Sequence, residues 1–148
     1  MIAVAAFGGV VAALVSQHVY GMEPCAWCVL QRLIFLLIGL VSLLGLAWRR
    51  PAVARLAGAA VLLLALAGVG SALWQHIVAS KSASCNLTLA DRIVSGAGLD
   101  RLLPPVFEAR ASCADAAVSV LGVSYALWAA LLFLLCAIAA VGAMRRTA

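Results

Sequence analysis

Cys25-Ala26-Trp27-Cys28 sets two thiols three residues apart, where a short polar segment gives way to a long apolar run. A dithiol at that boundary can exchange disulfides with a water-soluble protein on one side and pass electrons to a lipid-soluble acceptor on the other. The thiolate is the reactive form, and a helix N-terminus favours it. As a permanent staple the pair would close a very small loop, and the chain-entropy model rewards long loops more. Zinc would want about four Cys or His ligands, and there is a single Cys-X-X-Cys. Haem attachment would want His after Cys28, where Val29 stands. The spacing therefore points to redox exchange, with no metal.

Three other cysteines complete the set. Cys85 and Cys113 are separated by 27 residues, a span that suits either a loop staple or a second exchanging pair. Two disulfides that share a compartment and can meet can exchange through a mixed intermediate, which favours the second reading. Cys136 sits among Leu134, Leu135, Ala137 and Ile138 and reads as a small packing residue.

The first pair must be positioned by a helix. Pro24 is suited to a first helical position, so a helix starting near it places Cys25 and Cys28 in its first turn, beside unpaired N–H groups and the positive end of the dipole. Arg32 then shares their face at i, i+3 and i+7. A cation one turn from the interface can snorkel to headgroups. Beside two thiols it can instead stabilise a thiolate and an anionic oxygen on a bound acceptor. His76 ends a later apolar run at the same depth and His18 an earlier one; spacing assigns neither a role.

Composition supplies the rest of the frame. With 67% hydrophobic and 10% charged residues in 148, the chain is an all-α membrane protein. Four stretches reach the roughly 20 apolar residues a bilayer core requires, at about 2–19, 29–48, 56–78 and 124–144. They predict a single four-helix transmembrane domain over 1–148, with a long loop at about 79–123. The first stretch lacks a basic n-region and a small-x-small cleavage site before Gly21, so it reads as a retained helix; the absence of polar sequence before it suggests a short native leader.

Arg49, Arg50, Arg55, Arg145 and Arg146 account for the net charge of +5, because the loop charges cancel and Glu23 offsets Arg32. The positive-inside rule places both termini and the short middle loop in the cytoplasm, and all four paired cysteines outside, where disulfides persist. The basic balance is thus a topology signal, and no nucleic-acid site is expected. The loop mixes Leu89, Ile93, Leu102, Leu103 and Phe107 with charges and reads as partly surface-lying and amphipathic, with Gly96, Gly98 and Pro104-Pro105 as breakers.

A Pro-Cys-X-X-Cys entering helix two, an Arg four residues later, a His ending helix three and a Cys pair in the next loop together resemble the bacterial disulfide bond formation protein B (DsbB) family. The likeness includes Cys85-Asn86, Val106-Phe107 to Cys113, and Leu121-Gly122. It implies a quinone reductase of the bacterial inner membrane, using ubiquinone or menaquinone, that reoxidises a periplasmic thioredoxin-like dithiol oxidase (DsbA). It further implies that Cys85 is attacked by the reduced partner, that Cys113 attacks Cys25, and that Cys28 is left facing the quinone, with Arg32 and His76 beside it. Gln31 stands where the best-known member has an acidic residue, so no proton-handling role is carried onto it. Vitamin K epoxide reductase homologues place the loop pair before the helix pair, the reverse of the order here. The alternative of another class is a non-catalytic tetraspan protein stapled by two disulfides.

Overall fold

The computed structural model describes residues 1–48, 50–81 and 88–146. Among them, four helices are long and apolar enough to cross a membrane: α1 (Ile2–Tyr20), α2 (Ala26–Ala47), α3 (Pro51–Ile77) and, last in the chain, α7 (Tyr125–Arg146). They form a four-helix bundle with connections that alternate between its two ends.

Local chemistry explains where these helices begin and end. Gly21 stops α1 in the left-handed conformation (φ 67°), and its N–H returns to the Ser16 carbonyl, a closure that favours a residue without Cβ. Arg50 is extended, as the residue before proline tends to be, and Pro51 occupies the start of α3. Hydropathy predicted α3 only from Leu56. The helix runs a turn further because hydropathy marks the apolar run, whereas 27 residues at 1.5 Å each give about 40 Å, longer than a core of about 30 Å.

The start of α2 differs from expectation in the other direction. Cys25 is the N-cap, in extended conformation, and only Cys28 lies in the first turn. The reason is visible in the backbone bonds. The Pro24 carbonyl accepts the N–H groups of Arg110 and Ala111 at 3.0 and 3.3 Å, so the returning loop occupies it, and the first helical bond runs from Val29 N–H to Cys25 O at 3.0 Å.

The bundle closes over an apolar core in which Phe35 of α2 stacks on Phe133 of α7, ring centroids 3.8 Å apart and nearly parallel. Gly68 of α3 lies against the Phe133 ring, while Ala65, Ala72, Ala137 and Ala140 are buried nearby on the α3 and α7 helices. Small residues of this kind let transmembrane helices approach closely.

Between α3 and α7 the loop is built from a 3₁₀ turn (Ala79–Lys81), α4 (Leu89–Gly96), α5 (Leu99–Leu102), α6 (Pro104–Phe107) and a two-stranded hairpin, β1 (Ser119–Val120) and β2 (Val123–Ser124). Thr88 and Asp91 form a reciprocal capping box that starts α4. Its buried side, Ala90 and Val94, rests on the bundle, where Val94 joins Val29 and Phe107 in a small cluster. Leu89 and Ile93 remain exposed beside it. The antiparallel hairpin pairs Ser119 with Ser124 and turns through Leu121 and Gly122, both at positive φ (54° and 80°), as a two-residue hairpin of the primed type requires.

Gly68→Ala forces the Phe133 ring to move and should destabilise the bundle by about 1–3 kcal/mol. Gly70, in the same helix, has nothing within 4 Å of an added Cβ. Gly70→Ala should therefore be neutral or slightly stabilising. Thermal unfolding of the two variants in detergent checks the contrast, and equal midpoints would refute the close-packed seam.

Candidate functional site

Cys25 is fully buried at the head of α2, and its sulfur lies 3.2 Å from that of Cys28. Cys113 approaches the same sulfur from the loop. One buried sulfur thus has a thiol neighbour on its own helix and another from a distant segment. Cys25, Cys28, Cys113 and Cys136 are all free thiols. Cys85 falls within residues 82–87, outside the described residues.

Each partner is delivered by its own local structure. Cys113 rides on a turn closed by Ser112, whose hydroxyl donates to Asp115 at 2.6 Å and accepts from the Asp115 N–H at 3.2 Å. The Arg110 and Ala111 bonds to Pro24 hold that turn beside the start of α2. There the Trp27 N–H, one of the donors that a helix start leaves unpaired, faces the Cys113 sulfur.

This arrangement divides the protonation of the cluster. Cys25 is pushed well above the ordinary thiol range, first because its proton is shared with Cys113, then by Cys28 and by burial. Cys113 is held below that range, chiefly because Cys25 donates to it, despite an opposing contribution from burial. The loop thiol is thereby the more acidic of the two.

Arg32 is buried, with 5% of its surface exposed, which sets aside snorkelling. Its guanidinium donates to Gln17 Oε1 (2.6 Å) and, more distantly, Ala13 O (3.4 Å) on α1, and to Val106 O (3.0 Å) on α6. It also lines a cavity of about 170 Å³ with Cys28, Gln31, Tyr125 and the apolar walls Phe35, Trp128 and Leu132. An apolar cavity of about 150 Å³ is enough for benzene. The space therefore suits one ring, with a thiol, a cation and an amide at its polar edge.

Residues 1–143 match the family described as Disulfide bond formation protein DsbB. The chain belongs to the DsbB family. It is similar to Disulfide bond formation protein B of Ralstonia nicotianae, 38% identical over 99% of this chain and 91% of that protein. It is also similar to the Herminiimonas arsenicoxydans protein of the same name, at 34% over 85% and 80% of the two chains. Disulfide bond formation protein B 1 of Pseudomonas savastanoi is 35% identical over 93% and 80%. No solved structure matches. As a DsbB-family chain with four membrane-crossing helices, this is a multi-pass membrane protein of disulfide bond formation with disulfide oxidoreductase chemistry.

Seen in the DsbB fold, the residues singled out by spacing divide into two groups. Cys25, Cys28, Cys113 and Arg32 converge. His76 is half-buried in the last turn of α3 and is not among the described residues lining the Cys28 cavity. Its neighbour Gln75 is the residue that reaches Cys28, donating from Nε2 to Sγ at 3.0 Å. His18 bonds the Leu14 carbonyl on an exposed face of its own helix. Sequence reasoning missed Gln17 and Gln75, and noted Gln31 only to decline it a proton-handling role. The available signal was an amide inside an apolar span, which in a bilayer must find a partner.

In fully reduced protein, Cys25→Ala removes the donor to Cys113 and should slow alkylation of Cys113 at neutral pH by about tenfold, the value of one charge-assisted hydrogen bond. Cys25→Ser keeps an O–H donor and should retain most of the rate. Peptide-resolved mass spectrometry reads the rates. The sign is diagnostic, because simple unblocking of Cys113 would make the alanine variant faster.

Proposed function

We propose that this chain reoxidises a periplasmic thioredoxin-like dithiol oxidase of the DsbA kind by disulfide exchange and passes the electrons to a membrane quinone, ubiquinone or menaquinone. It would do so as one four-helix domain of the bacterial inner membrane, with the cysteines on the periplasmic side and both termini in the cytoplasm. The observation that carries the reading is the position of the Cys25 sulfur between those of Cys28 and Cys113. In a static staple each sulfur has a single partner. A sulfur with two candidate partners is what exchange needs.

A thiolate of the reduced partner attacks Cys85 of a Cys85–Cys113 disulfide and frees Cys113 as thiolate. Cys113 attacks Cys25 of a Cys25–Cys28 disulfide, and that bond breaks with Cys28 leaving as thiolate. The partner's second thiolate resolves its bond to Cys85 and departs oxidised. Cys85 then attacks Cys113, which restores the loop disulfide and leaves Cys25 and Cys28 as a dithiol. A bound quinone supplies the two-electron acceptor that lets the Cys25–Cys28 bond re-form. Arg32 and Cys28 would hold it by a carbonyl edge, and the apolar walls would take the ring face. His76 is carried as a further quinone-side residue by family likeness alone.

The balanced loop charges and the arginines gathered at the opposite end support the orientation. Arg50 and Arg55 at the α2–α3 connection and Arg145 and Arg146 at the end of α7 lie at the bundle end away from Cys25.

Thiol trapping during turnover tests the scheme. Reduced partner protein should open both disulfides, and they should return only when quinone is added; a stapled scaffold keeps both throughout. Cys28→Ser should abolish quinone reduction, and retained quinone-dependent turnover would overturn the route. Arg32→Ala should raise the KM for quinone while the Cys85/Cys113 pair still exchanges with the partner. An unchanged KM would leave Arg32 a purely structural tie.

A further inference from the structure

Behind the cavity, two buried amides form a chain that ends on a sulfur. Gln31 of α2 donates from Nε2 to Gln75 Oε1 of α3 at 2.6 Å, and Gln75 donates from Nε2 to Cys28 Sγ at 3.0 Å. The two are 5% and 4% exposed. Gln31 lines the cavity beside Cys28 and Arg32, whereas Gln75 is not among its described lining residues and touches the chemistry only through Cys28.

An amide has a donor end and an acceptor end, and the two here can reverse only together. With Gln31 donating to the Gln75 carbonyl, the NH₂ of Gln75 is left facing the sulfur. Reversal of both would present a carbonyl oxygen, which suits a thiol S–H and opposes an anion. The observed sense is the one that favours charge on Cys28. We propose that Gln75, oriented by Gln31, is a positioning residue that holds the Cys28 sulfur as an anion facing the cavity.

The inference rests on the reading of Cys28 as the thiol that faces the acceptor. It assigns the inter-helix amide pair a task beyond joining α2 to α3. Among the described residues, the ionisable groups around Cys28 are Cys25 at the helix head, Arg32 one turn along, Tyr125 at the start of α7 and the exposed Glu23, which shares a second small pocket with Cys28, Arg32 and Tyr125, with Cys113 reaching the cluster from the loop. Of these Arg32 is the one fixed cation, and it is already shared among three oxygen acceptors. A neutral donor aimed at the sulfur alone therefore adds a directed contact that the cation does not supply.

Two substitutions separate positioning from mere cross-linking. Gln75→Glu keeps an acceptor for Gln31, so the tie between helices survives, but it points no amide donor at Cys28. Gln75→Met removes both bonds at similar volume. In fully reduced full-length protein in detergent, Cys28 alkylation by iodoacetamide at neutral pH is read by peptide-resolved mass spectrometry, with thermal unfolding alongside. Both variants should alkylate Cys28 about tenfold more slowly, and Gln75→Glu should do so without loss of unfolding temperature. Gln31→Met, which leaves the Gln75 amide free to turn, should slow the reaction less than either.

Wild-type alkylation rates in both Gln75 variants would overturn the proposal, as would a slowing that merely follows lost stability. Failure of the electron route looks different. In that case Cys28→Ser still reduces quinone, while the alkylation comparison stands on its own result.

Discussion

A guanidinium inside an apolar bundle must have acceptors within reach, because leaving a buried charge unpaired costs several kcal/mol. Arg32 finds them on two other elements, α1 and α6, while it belongs to α2 itself. Its bond to Val106 draws the loop onto the head of α2, and its bonds to Gln17 and Ala13 draw α1 in from the other side. The Phe107 side chain next to Val106 then packs with Val29 and Val94, so the polar tie and an apolar cluster act on the same stretch of loop. Much of the cysteine-bearing end of the molecule follows from satisfying that one charge.

The sulfur cluster is a product of the same docking. Pro24 gives its carbonyl to Arg110 and Ala111 rather than to its own helix, which starts α2 two residues later and leaves Cys25 extended at the cap. A Cys25 inside the first turn would have faced along the helix with Cys28. At the cap it is open to both Cys28 and the incoming Cys113. Proton sharing then makes the thiols unequal, raising the central one above the ordinary thiol range and lowering the loop one. Helix-start donors contribute through the Trp27 N–H.

The cavity joins this cluster to the membrane interior. Its apolar walls come from α1, α2 and α7, and its polar edge from Cys28, Gln31 and Arg32 at successive positions of one helix face. The Phe35–Phe133 stack closes the bundle core just beneath, and Gly68 makes room for it. Packing thus confines polar groups to one edge of a small, otherwise greasy space, the arrangement that a ring with carbonyl oxygens would use.

Much of this was written in the chain. Apolar run lengths determine four membrane-crossing helices, the arginine distribution marks one bundle end, and helical geometry puts Cys28 and Arg32 one turn apart, because rise and twist per residue are constants of the backbone. Family membership, too, follows from motif order. Tertiary structure decided whatever depends on two elements meeting. It put Cys113 rather than solvent against Cys25, buried Arg32 instead of letting it snorkel, and moved the helix start past Pro24. It also gave the contact with Cys28 to Gln75, one residue before the histidine that the family resemblance had offered. Adjacent residues on a helix point about 100° apart, so which of the two faces a partner is set by how the helices pack, and no spacing within a single segment contains that angle.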